Sequence, residues 1–104
     1  MEISQNRINF HNYLKEVTGL SNIYFQPPSN IKLKYPCIVY DRLNIQNKAA
    51  DNTVHVTHVS YQVEVIDYSP DSEYVDKLSK IVKCKHNRAF QTEGLNHDVF
   101  EIYY

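Results

Sequence analysis

A chain of 104 residues with a formal net charge of -1 has room for one domain, spanning 1–104, with a thin core. Its 11 basic and 12 acidic residues leave no cationic excess, which argues against sequence-specific nucleic-acid binding. The apolar runs are far too short to cross a bilayer, so no membrane partner is expected.

The first segment, Ile3–Thr18, has a helical pattern. Ile3, Phe10, Tyr13, Leu14 and Val17 share one face, while Asn6, Asn9, Asn12, Lys15 and Glu16 fall mostly on the other. Gly19 follows where a left-handed residue commonly closes a helix. Ile23–Phe25 reads as a short strand stopped by Pro27 and Pro28, which cannot donate to a ladder. After an extended connection at 29–34, a β-rich run begins at Tyr35 and Pro36 and reaches Gln46.

Residues 47–52 (Asn47, Lys48, Ala49, Ala50, Asp51 and Asn52) form a polar turn. A long strand, Thr53–Asp67, follows. Val59, Tyr61, Val63 and Val65 alternate with Ser60, Gln62 and Glu64, but Val54 and Val56 have the opposite parity. A period of two cannot turn both sets the same way, so a bulge near Thr57 and His58 is expected. Together the two strands predict one long antiparallel hairpin.

Ser69, Pro70 and Asp71 read as the start of a helix, with Ser69 as its cap. Tyr74, Val75, Leu78, Ile81 and Val82 supply its apolar face, Lys77, Lys80, Lys83 and Lys85 enrich its later turns, and Cys84 closes it. A second hairpin follows, from a strand at 88–92 through Glu93 and Gly94 to a strand at 99–104. Phe100, Ile102 and Tyr104 are expected inward, with Glu101 and Tyr103 outward. The order α-β-β-β-α-β-β predicts an α+β fold, an antiparallel or mixed sheet covered by two helices.

Residues with chemical potential do not combine into a site. His55 and His58 lie three apart on a strand and should diverge. Asp67, Ser69 and Asp71 resemble the opening of a calcium loop, but Ser72 and Leu78 stand where Gly and Glu are needed. Cys37 and Cys84 lie in apolar segments and read as reduced core thiols, with a disulfide not excluded by the sequence. His97 and Asp98 are adjacent on a strand and point apart. No enzyme activity, metal or cofactor is expected. The opening ten residues, with Glu2 and Arg7, lack a signal-peptide pattern, so assembly in a cytoplasm is expected.

The strings NIYFQPP at 22–28, YPCIVY at 35–40, ADN at 50–52, VIDYSPDS at 65–72 and GLNHDVFEIYY at 94–104 resemble, in that order, the tail-terminator and minor tail proteins of long-tailed, siphovirus-type bacteriophages. The resemblance implies a virion structural protein at the head–tail junction. Such a protein would form a homo-oligomeric, hexameric ring that caps the tail-tube protein and docks to the neck or head-closure proteins. Related alternatives are a head-closure protein of the same gene cassette and a monomeric protein-binding module. On this reading the turn at 47–52 becomes a projecting arm that meets a neighbouring subunit or the tail tube. Pro27 and Pro28, with the exposed parts of Tyr24, Tyr35 and Tyr40, form a second expected contact area. Tyr103 and Tyr104 form a third.

Overall fold

Every fourth residue along the first helix is buried. In α1 (Ile3–Thr18), Asn6, Phe10, Leu14 and Thr18 make a single stripe that faces inward. The helix stops where Gly19 adopts φ +73° and gives its N–H to the Lys15 carbonyl at 2.8 Å. Thr18, deep in the last turn, donates its hydroxyl to the Leu14 carbonyl at 2.7 Å and accepts the Leu20 N–H at 3.2 Å. The computed structural model describes residues 2–50 and 53–104, with side chains excepted at 47–50 and 53–57.

Five strands follow: β1 (Ile23–Phe25), β2 (Cys37–Ala50), β3 (Thr53–Asp67), β4 (Cys84–Thr92) and β5 (Leu95–Tyr103), with α2 (Glu73–Ser79) between β3 and β4. They form one mixed sheet in the order β1-β2-β3-β5-β4, parallel only between β1 and β2. The fold is α+β, in the predicted element order. Alternation selects the residues that meet the helices: Ile38 and Tyr40 on β2, Val59, Tyr61, Val63 and Val65 on β3, and Phe100 and Ile102 on β5. Val63 stands between Tyr40 and Phe100 in register. Phe10 stacks on Tyr61 with centroids 4.2 Å apart and meets Tyr40 edge-on at 5.6 Å.

The expected bulge is present. Gln46 pairs with His58 and Asn47 with Val56, so Thr57 is the extra residue and the parity of β3 changes there. A second bulge falls at Leu43, between the Arg42–Tyr61 and Asn44–Ser60 pairs.

Several expectations are corrected. Asn6 belongs to the core rather than to the polar face. It is 6% exposed, accepts the Tyr61 hydroxyl at 2.5 Å and donates to the Tyr104 carbonyl at 3.3 Å, so both ends of its amide are paired. The cap of α2 is Ser72, whose hydroxyl accepts the Tyr74 N–H. Ser69 instead accepts the Asp71 N–H in the turn before it. Tyr74, Val75, Leu78 and Ile81 pack on the core, but Val82 is 96% exposed because the helix has already ended. Cys84 opens β4 opposite Ile102 instead of closing the helix. Pairing with β5 satisfies a backbone ladder that further helical turns would leave unmade, and the strand starts four residues earlier than its sequence suggests. Glu93 and Gly94, at φ +53° and +77°, form the two-residue turn of the last hairpin.

Candidate assembly surfaces

β5 covers β3 only as far as the Ser60–Tyr103 pair, and β1 covers β2 only as far as the Phe25–Tyr40 pair. Beyond those points β2 and β3 continue together as a two-stranded ribbon. About seven residues on each strand extend it by roughly 23 Å. The molecule measures 52 × 30 × 22 Å. The turn expected at 47–52 is shorter than its sequence suggests: 47–50 continue β2 and pair with 53–56. Asp51 and Asn52 lie outside the described residues, as do the side chains of Asn47, Lys48, Ala49 and Ala50, so only the strand backbone at 47–50 is located. Leu43, on the bulge at the arm's root, is 49% exposed.

The second expected area is partly corrected. Tyr40 has no exposed part; it is buried against Phe10, Phe25 and Tyr61. Its place opposite Val63, on the core face, dictates this. Pro28 is exposed and Pro27 half-buried. Half-buried Tyr24 accepts the Lys34 N–H at 3.3 Å, and Tyr35 meets Tyr68 edge-on at 6.1 Å.

Tyr103 points away from the core as expected, is 40% exposed and lies edge-on to His58 at 5.5 Å. Tyr104 turns inward, with its ring 5.3 Å from Phe10 and 5.2 Å from Tyr13, yet remains partly open at the surface. Its N–H donates to the Val59 carbonyl at 2.8 Å, which ties it to the strand at the arm's root.

Sequence reasoning missed a cluster at that root. Arg7 of α1 and Arg42 of β2 hold their guanidinium groups 5.0 and 5.4 Å from the centroid of one ring, Phe25 of β1. Tyr40 and Tyr61 lie beside them. Burial pushes both phenols above their ordinary pKa, against the pull of the two arginines, so neither supplies a counter-charge near neutral pH. His11 shares a 2.7 Å hydrogen bond with the Tyr40 hydroxyl. Its pKa is lowered by burial first, then by Arg7 and Lys15. No linear motif joins Arg7, Phe25 and Arg42; only parallel pairing of β1 with β2 assembles them.

The potentially reactive groups are dispersed. His97 and Asp98 turn to opposite faces of β5. His97 Nδ1 lies 2.6 Å from Glu64, and Asp98 lies 3.0 Å from His86 Nε2. Phe90 stacks on the His97 ring at 4.6 Å. Cys37 is buried, and burial followed by the Glu64 charge pushes its thiol up to about 12. Burial also raises the half-buried Cys84 thiol. Among the described residues no group of three or more His, Cys, Asp or Glu side chains gathers in a metal-binding arrangement, and no helix is long and apolar enough to cross a membrane. The side chain of His55 lies outside the described residues. Asp67 accepts the Ser69 N–H at 3.2 Å, a turn contact within the calcium-like string.

No protein-family model matches this chain, and no curated protein matches its sequence.

Proposed function

We propose that this chain is a structural subunit of the head–tail junction of a long-tailed bacteriophage, a tail terminator that closes into a ring, caps the tail tube and docks to the neck. The support is the ordered resemblance along 22–104, joined to one observation: β2 and β3 continue as a ribbon beyond the five-stranded sheet. A two-stranded ribbon alone in water is marginally stable, because it has no layer to bury its faces against and both its edges carry unpaired backbone groups. A neighbouring subunit or the tube would supply that layer. The body, by contrast, has its core filled from one helix-covered face and suits a rigid, tileable unit. Its work would be mechanical rather than catalytic.

The test changes the arm and spares the body. Lys48→Glu combined with Asp51→Lys exchanges one charge of each sign within a polar stretch of sequence and should leave the melting temperature within about 2 °C. The same variant should fail to form rings by light scattering and fail to cap purified tail tubes. Normal capping by the double variant would remove the arm from the interface. A wild-type protein that ignores tail tubes would overturn the junction reading itself.

A further inference from the structure

The cluster at the arm's root is electrostatically incomplete. The guanidinium carbons of Arg7 and Arg42 can be no further apart than the sum of their 5.0 and 5.4 Å distances to the Phe25 centroid. None of the ion pairs among the described residues includes either arginine. Two half-buried cations drawn together over one ring, with no carboxylate among the described residues paired to either, favour an incoming anion. A carboxylate matches the guanidinium fork in shape and charge.

The far end of the body carries the complement. Asp71, Glu73 and Asp76 are exposed around the start of α2. Glu73 and Asp76 already face Lys77 and Lys80, at 3.8 and 3.1 Å. No ion pair among the described residues includes Asp71, which borders an open cleft with Pro36, Asp67, Ser69, Glu73 and Tyr74. Arg42 is paired with Tyr61, six residues before the far end of β3 at Asp67. That separation is about 20 Å along the strand, with Asp71 beyond it, so the two ends of one molecule do not meet.

We propose that Arg7 and Arg42 receive the Asp71 carboxylate of a second copy of this chain. The contact is head-to-tail: each copy offers its arginine pair at the arm's root and its acidic turn at the far end of the body, the heterologous arrangement from which rings are built. A carboxylate is favoured over a nucleic-acid phosphate because the chain as a whole carries no cationic excess. The inference rests on the ring reading and names the residues of its side-to-side contact.

Sedimentation velocity on the full chain, from micromolar to millimolar concentration, tests it. Wild type should self-associate, more weakly as salt is raised. Arg7→Glu and Asp71→Arg should each weaken association about tenfold or more, while an equimolar mixture of the two should regain much of it, because each variant then offers the other an opposite charge. Asp71 is exposed, so its variant carries the test if Arg7→Glu fails to fold. A wild-type monomer at all concentrations would overturn the contact. So would association that ignores both reversals, which would leave the ring reading standing. Binding of a short DNA duplex by wild type but not by Arg7→Glu would assign the pair to phosphate and also overturn it. Failure to cap tail tubes, with charge-dependent association intact, would remove the terminator reading and leave the contact.

Discussion

β3 lives in two environments, and the change comes just before Val59. From Ser60 to Asp67 it lies between β2 and β5, and its inward side chains meet helices. Before Val59 its ladder is with β2 alone. In the body each inward residue is fixed from both sides, as Val63 is by Tyr40 and Phe100; in the arm the ladder is held from one side only. Fold stability therefore resides in the body, and the arm is the part whose energetics a partner would change.

The largest expected effect belongs to the body. Phe10→Ala removes the ring that stacks on Tyr61 and touches Tyr40 and Tyr104, and should cost about 3–5 kcal/mol in urea unfolding. A loss below about 1 kcal/mol would mean that the body is not organised around this ring. Asn6→Ala is next. It strips the partner from the buried Tyr61 hydroxyl and should cost about 1–3 kcal/mol, with Tyr61→Phe recovering part of that loss in the Asn6→Ala background.

Asn6 also marks where sequence pattern stops being sufficient. Periodicity located α1 from Ile3 to Thr18 and β3 from Thr53 to Asp67, because long amphipathic elements repeat one signal many times. Asn6 carries no apolar signal; it is buried only because Tyr61 and Tyr104 come to meet it. α2 starts three residues later than Ser69 suggests because Ser69 and Ser72 are equally good caps, and the chain's exit from β3 makes the choice. The sequence shortens β4 because its pattern carries the helix through Lys83, Cys84 and Lys85, yet an edge strand tolerates such residues where one side faces water. The backbone pairing of the long β2–β3 hairpin and the outward side of Tyr103 were legible from alternation. The Arg7–Phe25–Arg42 cluster was not, because its members come from three elements.

The smallest effect is a pH dependence at the arm's root. The folded state lowers the His11 pKa, so the unfolded chain binds the proton more readily. Stability from this group is present above the unfolded value of about 6.5 and declines as pH falls through it. Asp41 titrates with the opposite sign, because burial and Glu64 raise its pKa. Melting temperature should fall from pH 7.5 to 5.5 in wild type, and the fall should be smaller in His11→Asn. Equal falls would place the acid sensitivity elsewhere.

Hydrogen exchange read residue by residue, in the free protein and on the tail tube, probes the two environments of β3 most directly. In the free protein, amides at 54–58 should exchange at least about 100-fold faster than those at 61–66, and assembly should close most of that gap. Equal protection of both stretches in the free protein, or an arm whose exchange is unaltered on the tube, would contradict the account.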